Sequence, residues 1–180
     1  MAEGPDGRAG AMRMTTAAAG SAAFAVVAPG VVAGLVPWLL TDWQAGASGY
    51  PGSARACGAL LTAAGAAVVL VAFGQFVVEG RGTPAPPAPT ERLVVRGMYR
   101  YVRNPMYLAV LAVICGQGLL LGRPVLFGYG AVVAVLFGSF VRWYEQPSLR
   151  RRFGSQYENY LREVPGWLPR RPAARTGKHH

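Results

Sequence analysis

Asn104-Pro105 is a strong start for a helix: Asn suits the N-cap position, and Pro suits the first helical position, where its missing amide does no harm. A helix beginning there presents free backbone amides. With Arg103 beside it and Arg100 about one turn earlier, that end suits a carboxylate or phosphate. From Asn104 to Gly122 and from Pro124 to Arg142 run equal numbers of residues. Two antiparallel helices of equal rise, joined at Gly122-Arg123-Pro124, therefore bring Arg142 and Glu145 back to face Arg103 and Asn104. A carboxylate and several guanidiniums then converge from distant parts of the chain. A salt bridge that merely closes the hairpin is the structural alternative.

The elements that must position these residues are apolar helices. The chain is 52% hydrophobic and 14% charged, against about 25% charged residues in an average soluble domain. Four charge-free intervals stand out: Met14 to Thr41, Ala56 to Val78, Arg103 to Arg123, and Arg123 to Arg142. Since a spanning helix needs about 17 to 25 apolar residues, the last two lie near the lower limit. The expectation is an all-α polytopic membrane protein with spans at about 15–40, 56–78, 104–122 and 124–143. These form one domain over 14–169, between a disordered start (1–13) and a disordered tail (170–180).

The net charge of +10 would point to nucleic acid in a soluble protein, but here its distribution decides. With a cytosolic amino terminus, only Arg55 and Arg123 of the eighteen basic residues fall outside, so both termini are expected in the cytosol, with anionic headgroups and not nucleic acid as the partner. A signal peptide is disfavoured because the uncharged stretch after Arg13 exceeds an h-region of about 7 to 15 residues. Cys57 and Cys115 fall inside spans and behave as small apolar residues; His179 and His180 have no metal-binding spacing, so no metal site is expected.

Within the first span, Pro29 and Pro37 should kink or shorten the helix, while Gly30 and Gly34 offer a close helix contact. Gln75 is the strongly polar member of the second span and suits a helix–helix hydrogen bond. Four prolines between Glu79 and Thr90 make a semi-rigid connector. The arginines and tyrosines from Leu93 to Tyr107 then mark a membrane entry point. After the fourth span, Leu149, Phe153, Tyr157, Tyr160 and Leu161 recur at helical spacing, interrupted at Gly154, as amphipathic helices against the membrane would.

Gly97-x-Tyr99-Arg100-Tyr101-Val102-Arg103-Asn104-Pro105-Met106-Tyr107 is followed by Gly116-x-Gly118, and then by Glu145 with Phe153-Gly154-x-x-Tyr157-x-x-Tyr160-x-x-x-Val164-Pro165. In this order the motifs resemble the isoprenylcysteine carboxyl methyltransferase and phospholipid methyltransferase superfamily over roughly residues 91–169. The resemblance implies integral membrane enzymes that take a methyl group from S-adenosylmethionine through a carboxy-terminal helical region. It places cofactor contacts at Arg103, Asn104, Pro105, Tyr107, Gly116, Gly118, Glu145 and Gln146. Two positions depart from the pattern: Asn104 stands where many members have His, and Gln146 where an acidic pair is often seen. Gly116 lies eleven residues past Pro105, about 16 Å along a helix, so it would hold a different end of an extended cofactor or serve only tight packing.

The expected reaction is in-line attack on a sulfonium methyl by a lipophilic or small apolar acceptor entering from the bilayer. A carboxylate acceptor needs no base and would be held by Arg142 or Arg100. An amine or thiol acceptor would use Glu145 as base. An NADPH-dependent membrane reductase with a similar Arg-x-Pro and tyrosine-rich pattern, and a non-enzymatic membrane scaffold, are the competing classes. Seventeen arginines against one lysine fit a GC-rich bacterial source and its cytoplasmic membrane.

Overall fold

The computed structural model describes residues 27–46, 49–80, 93 and 95–170, without the side chains of residue 73 and residues 75–80. The expectations for residues 1–13, most of the carboxy-terminal tail, the proline-rich connector and the Gln75 side chain lie outside the described residues. Among those residues all regular structure is helical. Helix α1 is Val27–Thr41, α2 is Gly52–Gly80, α3 is Pro105–Leu121, α4 is Val125–Phe140 and α5 is Gln146–Glu163. A short 3₁₀ turn, Gly97–Arg100, leads into α3, and a π-helical turn, Val141–Glu145, joins α4 to α5.

Two stretches, Gly52–Ala72 and the continuous Val125–Glu163, are long and apolar enough to cross a membrane, whereas α1 and α3 are apolar but shorter. Four full spans are thus an expectation that the described helices meet for two. Leu60 and Leu70 of α2 are 71% and 72% exposed, and Val132, Val135 and Leu136 of α4 are exposed as well. In water such faces would be costly; against lipid tails they are at home.

Close packing of α3 on α2 sets the frame. A Cβ on Gly116 would collide with Thr62 Oγ1 and lie 2.8 Å from the Gly58 carbonyl, and one on Gly65 would meet the Ala109 carbonyl at 2.8 Å. Only glycine permits these approaches, which is how helices gain contact in a solvent as apolar as themselves. The close contact expected at Gly30 and Gly34 is not made among the described residues, none of which lies within 4 Å of a Cβ at either position. Val110, Ile114, Leu126 and Val133 then form the core between α3 and α4. Gly122, at φ 62°, turns the chain from α3 towards Pro124 in the left-handed region that favours glycine.

Pro37 shapes α1. Val36 donates its amide to the Val31 carbonyl in π register, so Val32 must look one residue on, to Pro37, which has no amide. The Ala33 carbonyl loses the same donor in α register. Side chains supply both: Tyr129 Oη donates to the Val32 carbonyl at 2.8 Å, and Gln117 Nε2 to the Ala33 carbonyl at 2.6 Å. At the far end from Asn104, Arg55 Nε donates to the Leu120 carbonyl and Arg123 Nε to the Gln44 carbonyl. The two arginines that stand apart from the charge asymmetry therefore satisfy backbone carbonyls where α3 ends.

Candidate active site

Site geometry begins where α3 starts. Asn104 occupies the N-cap position and is buried at 7% exposure, but its side chain makes no capping hydrogen bond. Its carbonyl accepts from the Leu108 amide, while the amides at the first turn have no partner within the helix. Pro105 is buried at the first position and rigidifies the entry. Arg103 precedes it with its Nε buried and without a hydrogen-bond partner. A buried guanidinium nitrogen and a polar side chain not spent on capping both suit an anionic group on a ligand.

The second strand of the site arrives from α4. Glu145 closes the π turn Val141–Glu145, beyond the apolar stretch Val125–Phe140, and Tyr107 Oη donates to its Oε2 at 3.1 Å. Arg103 lies within electrostatic range. Burial pushes the Glu145 carboxyl above the usual carboxylate range, opposed by the Tyr107 hydrogen bond and by Arg103. Rings wall the carboxylate: Tyr107 packs on Phe137 at 4.6 Å between centroids and on Trp167 at 6.4 Å. A carboxylate in a partly desolvated aromatic setting is suited to a cationic ligand or to accepting a proton.

Cover for Arg103 comes from the chain after α5. The Arg103 amide donates to the Pro165 carbonyl at 2.9 Å and the Arg170 amide to the Tyr101 carbonyl at 3.0 Å. Gly166 lies so close that a Cβ there would be 3.2 Å from an Arg103 terminal nitrogen. Tyr160 Oη donates to the Tyr99 carbonyl at 2.6 Å, tying α5 to the 3₁₀ turn. Burial raises the Tyr99, Tyr157 and Tyr160 hydroxyls, and the Arg103 charge opposes the rise at Tyr157 and Tyr160. These phenols stay protonated as donors. The face carrying Tyr157 and Tyr160 packs with Val164, Leu93 and Phe153, so it is spent inside the protein and not laid against lipid as its amphipathic pattern had suggested.

Of the residues singled out in the sequence, the fold brings Arg103, Asn104, Pro105, Tyr107 and Glu145 together. Arg142 is exposed, and the turn Val141–Glu145 that links it to Glu145 bonds in π register, which breaks the three-residue repeat by which an α-helix sets such a pair on one face. Arg100 is exposed and stacks its guanidinium 4.7 Å over the Tyr101 ring, bonding that hydroxyl. Gln146 follows Glu145 as a half-buried residue at the start of α5. Gly116 faces α2, and a Cβ on Gly118 would press the Phe127 ring at 3.1 Å, so helices cover both. Trp167 and Gly166, absent from the sequence-based site, join it. Their signal was the Val164-Pro165-Gly166-Trp167 run, which cannot continue a helix.

Comparison with known proteins now bears on this arrangement. Residues 53–156 match the model of a family described as phospholipid methyltransferase. Protein-S-isoprenylcysteine O-methyltransferase B of Arabidopsis thaliana is 33% identical over 78 residues, which is 43% of this chain and 40% of the plant protein. The chain thus aligns with well under half of that relative. No solved structure matches.

Proposed function

The chain belongs to the phospholipid methyltransferase family, and we propose that it transfers a methyl group from S-adenosylmethionine to a lipophilic acceptor at the cytosolic boundary of the membrane. One observation carries the reading: Tyr107 and Glu145, 38 residues apart in sequence, are hydrogen-bonded beside Arg103 at the start of α3. That pairs a cation and free amides with a carboxylate, matching the carboxylate and the sulfonium of the cofactor. Its part in the reaction is an electrophilic methyl with a neutral thioether as leaving group.

In this reading Arg103, Asn104 and the first-turn amides of α3 hold the carboxylate of the cofactor, and Glu145 faces its positive charge. Tyr107 fixes the carboxylate by its hydroxyl and, with Phe137 and Trp167, keeps water out. Gly116 and Gly118 act indirectly, by letting α3 dock on α2 and α4. An amine or thiol acceptor fits better than a carboxylate, because the two arginines suited to holding an acceptor carboxylate, Arg100 and Arg142, are both exposed, and Arg100 is engaged on the Tyr101 ring. Glu145 then takes the proton from nitrogen or sulfur as the new bond to carbon forms and the electron pair of the old bond returns to the sulfonium sulfur. The basic residues flanking Asn104 and following α4 support a cytosolic placement of this mouth, with both termini on that side. The arginine-rich composition supports a bacterial cytoplasmic membrane.

Glu145→Ala tests the assignment. Methyl transfer to a host lipid extract should fall by about 100-fold or more, the range for a lost acid–base group, while the variant keeps the parent's elution profile in detergent. Unchanged turnover would refute the role.

A further inference from the structure

Between them, α1, α2 and α3 leave a cleft of about 340 Å³, within the range of small ligand sites. It is bounded by Gly30 and Gly34 of α1, Ala66 and Val69 of α2, and Met106 and Val110 of α3. All its walls are apolar. The cleft exists because Gly30 and Gly34 have no side chains and, among the described residues, no neighbour within 4 Å of where a Cβ would be. It also exists because α1 is held off α3 by its own proline turn, with Gln117 bridging to Ala33. Resting on the methyltransferase reading above, we propose that this cleft seats one acyl chain of the phospholipid acceptor.

Place and length favour that occupant. The cleft follows α3 from Met106 to Val113, about 10 Å of helix, and Met106 adjoins Tyr107, the residue bonded to Glu145. A chain lying there has its headgroup end at the start of α3. Arg96 and Arg100 are exposed just before that point and attract the anionic phosphate at a membrane surface. Lipid tails gain no hydrophobic free energy by leaving other lipid tails. The headgroup therefore supplies affinity, and the cleft supplies alignment by shape.

The test uses the full chain in nanodiscs containing phosphatidylethanolamine with a diazirine on its acyl chain. After illumination, adducts are mapped by peptide mass spectrometry. The parent should concentrate adducts on Met106, Val110 and Ala66 above the level at Leu136, an exposed lipid-facing residue of α4. Gly34→Leu, and independently Ala66→Phe, should lower cleft labelling to the Leu136 level while leaving Leu136 labelling unchanged. Cleft labelling no higher than at Leu136 in the parent, or unaltered in both filled variants, overturns the proposal. So does labelling by a farnesyl diazirine but not by the acyl probe. S-adenosylhomocysteine titration of the same samples keeps the two readings apart: loss of that binding in the parent would sink the methyltransferase reading, whereas the labelling pattern reports on the cleft alone.

Discussion

Two turns of the same kind do different work in this molecule. Val31–Leu35 and Val141–Glu145 are both π-helical, and each is followed by a proline two residues later, Pro37 and Pro147. Val36 donates to Val31 and Gln146 to Val141, the same five-residue step. In the first turn the carbonyls that the proline leaves short are claimed by Tyr129 and Gln117, so the distortion is locked against α3 and α4. In the second, Arg142, Trp143 and Tyr144 are exposed, Val141 is buried, and the one polar side chain that is withdrawn from the surface is Glu145, which meets Tyr107. A proline-induced slip is thus a joint in one place and an aiming device in the other.

Removing each proline should separate the roles. Pro147→Ala restores an amide and lets the helix run in α register, rotating Glu145 away from Tyr107. Methyl transfer should drop by about 10- to 100-fold, the scale of an ångström-sized misplacement of a reacting group. Pro37→Ala should leave turnover within about twofold, since that turn borders the acyl-chain cleft and not the Tyr107–Glu145 pair. Equal losses in both would mean that the second turn is structural like the first.

A smaller effect sharpens the first turn. Gln117→Leu strips the Ala33 carbonyl of its donor and should cost about 1 to 2 kcal/mol, read as a fall in the thermal midpoint in detergent. In the Pro37→Ala background the restored amide serves that carbonyl, so the same change should cost little. A double-mutant cycle reports the difference as coupling. Additive losses would show that Gln117 supports the fold through some other contact.

The smallest effect is a pH dependence at the second turn. Burial raises the Glu145 carboxyl, so the group is neutral below its shifted value and offers a sulfonium little attraction there. As pH rises through that value the carboxylate forms, and preference for S-adenosylmethionine over the neutral homocysteine analogue should grow. Glu145→Gln should flatten this ratio, whereas a parent ratio independent of pH would place the carboxylate away from the sulfonium.

Much of this arrangement was legible in residue types. The charge-free intervals marked the helices, Gly122-Arg123-Pro124 the hairpin turn, Asn104-Pro105 the start of α3, and Gly154, at φ 49°, the break in α5. Other features depended on register. Arg142 and Glu145 were expected to face Arg103 and Asn104 because the two hairpin arms have equal lengths at equal rise, and only Pro147 hinted at the π step between them. Gly30 and Gly34 have the spacing of a helix contact, yet the contact forms at Gly58, Gly65 and Gly116, because which glycines meet depends on how α2 and α3 rotate about their axes. The return of Pro165 and Gly166 onto Arg103 is a long-range backbone pairing that local pattern does not encode.

The central claim is that the start of α3 and Glu145 together form a cofactor site, and it is tested most directly by calorimetric titration of the purified chain. S-adenosylhomocysteine should bind the parent and bind Arg103→Ala about tenfold more weakly, as loss of a charge-assisted hydrogen bond implies, with no heat from NADPH. Equal affinity for the parent and Arg103→Ala, or binding of NADPH alone, would contradict it.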